Sequence, residues 1–269
     1  MSPQAFFRTF GEGPLAALAI HCTLGHSGAW RGVGAALSSQ VTLTACDLPG
    51  HGRSPDWNGQ GDFHDFCTGL ARPFLGTGVH LIGHSFGATV ALRLAAESPR
   101  LVRSLTLIEP VWFVVLAQDN PAALAAHDAN AAPYSEALKA GDMTKAARLF
   151  NRVWGDVTRW ADIPPAAKAY MTDRMHLVPA QSPMIFDDSP GLLRPGRLGR
   201  ITMPVLLMRG AQSPDVTAHI NRALAHRLPD AREVTIAHAG HMAPVTHPQD
   251  VADAIGSHIE MAEKGVDLV

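Results

Sequence analysis

The chain has 269 residues, 46% of them hydrophobic and 17% charged, with a formal net charge of −2. That length suits one large α/β domain, and that much apolar material is enough for a sheet covered on both faces. The balanced charge, with no long run of one sign, leaves no basic stripe for nucleic acid and no acidic tail.

Residues 15–22 form a compact apolar run that ends in a polar loop, and 41–46 form a second one. The second run stops at Asp47-Leu-Pro-Gly-His-Gly-Arg-Ser54, a stretch dense in turn formers. Residues 63–75 space their apolar side chains as a helix does, 78–83 read as a third strand, and 88–97 read as an Ala- and Leu-rich helix. Pro99 marks the end of that helix, and 101–108 return as a strand. Strands alternating with helices at this spacing imply crossover units and a mostly parallel sheet buried on both faces.

The pattern changes after Pro110. From 111 to about 200 helical stretches dominate (121–132, 135–150 and 165–177), with breaks at Pro164-Pro165 and across 179–195. Strand rhythm resumes at 203–209, followed by a helix at 216–228, a strand at 232–237 and a last helix from Pro248. The expected organisation is therefore a core of residues 1–110 and 201–269, with 111–200 inserted as a helical lid.

Three cysteines, Cys22, Cys46 and Cys67, are an odd number; they read as small buried hydrophobes in a reducing compartment. The first ten residues have no charged segment leading into an apolar one, and no stretch reaches the ~18 apolar residues of a membrane span. A soluble, cytoplasmic protein is the expectation. His and Cys show no short ligand spacing and no phosphate-cradling glycine loop is present, so neither a metal nor a nucleotide cofactor is expected.

The segment that carries chemistry is Gly83-His-Ser85-Phe-Gly87, between a predicted strand and a predicted helix. The five-residue pattern alone recurs by chance; its place at a strand-to-helix turn is what makes it informative. Such a turn holds the serine in a strained conformation, exposes its Oγ and sets it at a helix N-terminus, where backbone N–H groups can receive an oxyanion. A serine hydroxyl needs a base to take its proton, commonly a histidine oriented by a carboxylate. Of the fourteen histidines, His241 is preferred, because it follows the last strand in a loop with Gly240, at the sheet edge that also carries Ser85. His238 and His247 are the competitors.

These motifs resemble the α/β-hydrolase superfamily, in particular its lidded esterase-like members. Besides the Ser85 elbow, the resemblance rests on the 47–54 loop, Leu105-Thr-Leu-Ile-Glu-Pro110, Pro204-Val-Leu-Leu-Met-Arg-Gly210 and Ala239-Gly-His-Met-Ala-Pro244. It implies an α/β-hydrolase fold with a mostly parallel sheet, helices on both faces and a helical lid. By position it also implies that the backbone N–H groups of Thr23 and Phe86 form the oxyanion hole, although Cys22 stands where the family usually has glycine. The family's usual acid position is occupied by Ser213, which leaves Asp215 and Glu109 as competing carboxylates. Asp215 also reads as an N-cap for the helix after it, so Glu109 is preferred.

The implied activity is hydrolysis of a small or medium acyl ester by Ser85, His241 and a carboxylate through an acyl-enzyme, with no cofactor. Thioester, lactone or C–C bond hydrolysis and acyl transfer are alternatives on the same residues; a non-catalytic ligand-binding protein is the alternative from another class. Trp112, Trp154 and Trp160, with Phe113, Met171 and Met175, are the expected pocket-lining residues of the lid. Asp47, His51 and Arg53 read as shaping their loop, and His21 and His84 as packed or hydrogen-bonded neighbours of the site. The expected partner is a small acyl substrate, and the sequence specifies no oligomeric state.

Overall fold

In a computed structural model, which describes residues 5–156 and 158–266, the first part of the chain runs β1 (Phe7–Phe10), β2 (Leu15–Ile20), α1 (Arg31–Ala36), β3 (Val41–Cys46), α2 (Phe63–Ala71), β4 (Val79–His84), α3 (Phe86–Glu97) and β5 (Val102–Ile108). A helical segment follows: α4 (Val114–Asp119), α5 (Pro121–Lys139), α6 (Met143–Trp154), α7 (Pro165–Arg174), α8 (Leu177–Ala180) and α9 (Ser182–Ile185). The chain then closes with β6 (Val205–Gly210), α10 (Asp215–Ala225), β7 (Ala231–Ile236), α11 (Ala243–Thr246) and α12 (Pro248–Val266).

The seven strands form one sheet in the order β1-β3-β2-β4-β5-β6-β7, in which β1 alone is antiparallel to its neighbour. Period-two alternation sends side chains to two separate cores. Leu18, Leu81, Leu105, Leu107 and Leu207 lie in the core that contains α3 and α10. Ala17, Ile82, Ile108, Leu206 and Met208 lie in the other, which contains Val33 of α1 and Val251, Ile255 and Ile259 of α12. Both faces are therefore covered, as the near-continuous apolar strands require. Because the central strands are parallel, the loops after β2, β3, β4, β5, β6 and β7 all emerge at one edge, and the site is built there.

Four features differ from expectation. The edge strand β1 and the short helix α1 are absent from the sequence reading: β1 has only four residues, half exposed in alternation, and α1 carries two glycines in six residues, which weakens its intrinsic signal. The run 15–22 ends as a strand at Ile20 and releases His21-Cys22-Thr23 into a loop. The expected stretches 121–132 and 135–150 do not separate at Pro133, and α5 runs through it. Ala131, Tyr134 and Ala137 are buried on both sides of the proline, so packing holds the turns whose ladder bond Pro133 lacks. The chain breaks instead at Gly141, with φ +76°, and Asp142, whose side chain caps α6 by accepting from Lys145 N–H at 2.9 Å.

Residues at both ends of the helical segment belong to the main core, among them Trp112, Leu116, Leu192 and Leu198. Its middle packs around a smaller cluster of Ala137, Ala146, Ala147 and Met175, which includes Leu24 from the loop after β2. No helix among the described residues is long and apolar enough to cross a membrane.

Candidate active site

Strand β4 ends one residue before Ser85, and α3 begins one residue after it. The serine sits at φ 57° and ψ −120°, a left-handed conformation that costs a non-glycine residue roughly 1–3 kcal/mol. Its N–H is anchored to the Ile108 carbonyl at 2.8 Å, which ties the turn to the neighbouring strand. The flanking glycines are a steric necessity. A Cβ on Gly83 would lie 2.4 Å from the Gly87 carbonyl oxygen, and one on Gly87 would lie 2.4 Å from those of Ile20 and His21.

His241 is buried beside this turn, with its Nε2 3.0 Å from Ser85 Oγ and its Nδ1 3.1 Å from Glu109 Oε2. Glu109 follows β5 at φ 52°, and its carboxyl is fully buried. Its other oxygen, Oε1, accepts from Gly210 N–H at 2.6 Å and from Ser213 Oγ–H at 2.5 Å. Three donors thus converge on the two oxygens of one side chain. Ser213, at the position where the resemblance leads one to look for an acid, donates to Glu109 instead.

Asp215 is not part of this chain of bonds. It is exposed as the first residue of α10, with Pro214 rather than Asp215 at the N-cap and no side-chain cap bond. Its carboxylate suits the positive end of that helix without reaching His241 Nδ1, whose place is filled by Glu109. His238 is exposed at φ 61°, and His247 Nδ1 bonds Thr246 Oγ1 at 2.9 Å; both stand outside the Ser85 contact.

Two rings hold His241 in place. Trp154 lies 4.7 Å away, centroid to centroid, and His84 lies 5.1 Å away. His84 Nε2–H donates to the His241 carbonyl at 2.8 Å. Burial, reinforced by the neighbouring His241, lowers the His84 pKa to about 3, so this ring stays neutral and serves as a fixed hydrogen-bond donor.

The loop after β2 is held by two further buried histidines. His21 Nδ1–H and Gly25 N–H both donate to the Cys22 carbonyl, at 2.7 and 3.0 Å. In a trans peptide the following N–H, that of Thr23, points to the opposite side of the peptide plane. His21 Nε2 accepts from Leu48 N–H at 2.9 Å, while His51 Nε2 accepts from Leu24 N–H at 3.2 Å and its Nδ1–H donates to the Pro49 carbonyl at 2.8 Å. Burial lowers the pKa of His21 to about 4 and that of His51 well below its ordinary value, so both rings act as neutral clasps. Asp47 accepts from Ser27 N–H and Arg53 N–H at 2.6 and 2.8 Å and shapes the same loops. Cys22 is buried, and desolvation pushes its thiol up to about 12, so it holds no thiolate at neutral pH. All three cysteines are unpaired.

Two cavities meet at Ser85. One, of about 440 Å³, is lined by Thr23, Ser85, Phe113, Tyr134, Trp154, Gln181 and Phe186 among others. The second, of about 310 Å³, is lined by Cys22, Thr23, Ser85, Trp154, Met171 and His241. A third cavity, of about 670 Å³, lies behind His241 among Arg152, Asp215, His219 and His238, and does not include Ser85.

Of the three tryptophans expected to line a pocket, only Trp154 borders the cavities at Ser85. Trp112 is fully buried in the main core, because the chain is still packed against the sheet where it leaves β5. Trp160 is half-buried against the smaller cluster and faces Lys168. The sequence reading gave no weight to Gln181, a polar residue in a proline-rich stretch with no motif around it, yet it borders the Ser85 cavity.

Residues 17–254 match the family model described as the alpha/beta hydrolase family, which makes the chain a hydrolase by family. The chain belongs to that family. It is 29% identical over 252 residues to a pimeloyl-[acyl-carrier protein] methyl ester esterase of Nitrosomonas europaea, covering 90% of this chain and 94% of that protein. It is 28% identical over 261 residues to lipase LipV of Mycobacterium tuberculosis, covering 92% and 94%. An alpha/beta hydrolase from Sphaerobacter thermophilus superposes with a TM-score of 0.69 at 22% identity, over 95% of this chain and 96% of that one.

Proposed function

We propose that the protein cleaves a carboxylic ester of a small or medium acyl group, with Ser85 as nucleophile, His241 as general base and acid, and Glu109 as the orienting carboxylate. The observation that carries this reading is the unbroken hydrogen-bonded chain from Ser85 Oγ through both imidazole nitrogens to Glu109 Oε2, at 3.0 and 3.1 Å. Relatives named for ester cleavage and as a lipase support the ester as the bond attacked.

In this mechanism Glu109 holds the proton of His241 on Nδ1, which leaves Nε2 free to accept the Ser85 proton as Oγ attacks the carbonyl carbon. The carbonyl oxygen becomes an oxyanion and accepts from the N–H groups of Thr23 and Phe86, the latter opening α3 at its positive end. Collapse expels the alcohol, which takes the proton back from His241 Nε2, and leaves an acyl-Ser85. Water then attacks the acyl group through the same histidine.

The leaving alcohol must stand beside His241. The 310 Å³ cavity, which His241 borders, therefore receives the alcohol, and the 440 Å³ cavity, which it does not border, receives the acyl chain. Residues 111–200 act as a lid whose Phe113, Tyr134, Trp154 and Phe186 form the acyl wall. Steady-state kinetics on p-nitrophenyl butyrate test the reading. Ser85→Ala should lose at least ~10³-fold in kcat with an unchanged melting temperature. Near-wild-type turnover by that variant would refute it.

A further inference from the structure

Gln181 lies between α8 and α9, only 3% exposed, and borders the 440 Å³ cavity together with Ser85. Its Oε1 accepts a hydrogen bond from Thr23 Oγ–H at 2.8 Å. Its Nε2 is buried and has no hydrogen-bond partner. The Thr23 bond fixes the amide plane, because the hydroxyl oxygen faces the carbonyl end and leaves the two N–H bonds on the far side. A buried amide N–H₂ without an acceptor is unfavourable, and such groups in native proteins find a partner in protein, water or ligand. Around it the cavity wall is largely hydrocarbon and aromatic, supplied by Val111, Phe113, Trp154, Ile185 and Phe186.

We infer that Gln181 Nε2 is the specificity-determining donor of the acyl cavity, and that the natural acyl group carries an oxygen acceptor a few atoms from its ester carbonyl. The inference rests on the assignment of Ser85 as nucleophile and of this cavity to the acyl chain. The position of the acceptor follows from connectivity. Thr23 is also the residue whose N–H would receive the oxyanion, so the path from the reacting carbonyl to Gln181 Nε2 runs through two hydrogen bonds, the Thr23 side chain and one amide group. An oxygen at the third or fourth position of the acyl chain is in reach, whereas one at the end of a long chain passes beyond it. An unsubstituted alkanoyl chain leaves the amide unpaired and is the poorer substrate for that reason.

The test uses three p-nitrophenyl esters of equal chain length: pentanoate, ethoxyacetate and β-methoxypropanoate. In the last two an ether oxygen replaces a methylene at the third and fourth chain positions. The quantity read is kcat/KM for each oxa-ester divided by that for pentanoate, corrected for each ester's rate with hydroxide. Wild type should favour at least one oxa-ester by about 10-fold, the worth of one neutral hydrogen bond. Gln181→Met, which keeps the length and removes the donor, should bring the ratio to about one. Gln181→Glu, which keeps the acceptor for Thr23 and removes the N–H, should do the same or invert it. A wild-type ratio near one, with turnover abolished by Ser85→Ala, would overturn the role of Gln181 and leave the nucleophile intact. An equal loss on all three esters in Gln181→Met, with the ratio kept, would also overturn it, since that pattern belongs to a group acting on the oxyanion. Absence of Ser85-dependent turnover of any of the three would overturn the proposed function and this inference together.

Discussion

Replacing Glu109 by glutamine isolates the charge of the acid from its shape. The Oε1 side of Glu109 faces two donors, Gly210 N–H at 2.6 Å and Ser213 Oγ–H at 2.5 Å. The amide oxygen of a glutamine must take that side, because the backbone N–H of Gly210 cannot accept. The amide N–H₂ is then directed at His241 Nδ1, where Oε2 now stands at 3.1 Å. Donating to Nδ1 moves the imidazole proton to Nε2, so His241 meets Ser85 Oγ with a proton already in place and cannot act as base. The same acid-to-amide change in a serine protease lowers kcat about 10⁴-fold, which corresponds to about 5 kcal/mol of transition-state free energy. Steady-state hydrolysis of p-nitrophenyl butyrate by Glu109→Gln should fall by that order, with the melting temperature as a control for folding. Asp215→Asn should stay within about two-fold of wild type in kcat and lose no more than about 1 kcal/mol of stability, the worth of a charge in a first helical turn. A Glu109→Gln enzyme within about 10-fold of wild type would mean that His241 works without this carboxylate.

Trp154 and Trp112 should separate cleanly. Trp154→Ala opens both cavities at Ser85 and should shift acyl-chain preference toward longer esters, whereas Trp112→Ala should cost about 3–5 kcal/mol in urea unfolding with unchanged preference. Four buried histidines predict acid sensitivity: burial lowers His21 and His258 to about 4 and His64 and His84 to about 3. Below about pH 6.5 the unfolded chain binds protons that the folded one refuses, so stability is full above that pH and lost as pH falls toward 4, by up to about 2 kcal/mol per histidine at pH 5. A melting temperature that stays flat between pH 7 and pH 5 would contradict this.

The parts of the site nearest the sheet were legible in the sequence because strand periodicity and turn residues are local signals. Ser85 between Gly83 and Gly87 and His241 after the last strand could be located from their immediate neighbours. The choice between Glu109 and Asp215 was not local, since it depends on where Gly210, Ser213 and His241 converge, three loops apart in the chain. His51 was legible only as shaping its loop, and His21 and His84 only as packed or hydrogen-bonded neighbours, because their partners at Leu24, Leu48 and His241 are set by tertiary packing. In the helical segment local rules failed more often. The expected helices 121–132 and 135–150 left a gap at 133–134, but buried neighbours carry α5 across it, and the spacing of tryptophans did not distinguish Trp154 at the cavity from Trp112 in the core. Gln181 had no sequence signal at all, since its distinction is a missing hydrogen bond.

Covalent labelling with a fluorophosphonate, read by tandem mass spectrometry, tests most directly whether Ser85 is a nucleophile activated by His241. The proposed mechanism predicts a single adduct on Ser85 in the wild-type protein, forming at least about 10²-fold more slowly in His241→Ala, since His241 Nε2, the proposed base, is 3.0 Å from Oγ. An adduct on another residue, or a labelling rate indifferent to His241, would contradict it.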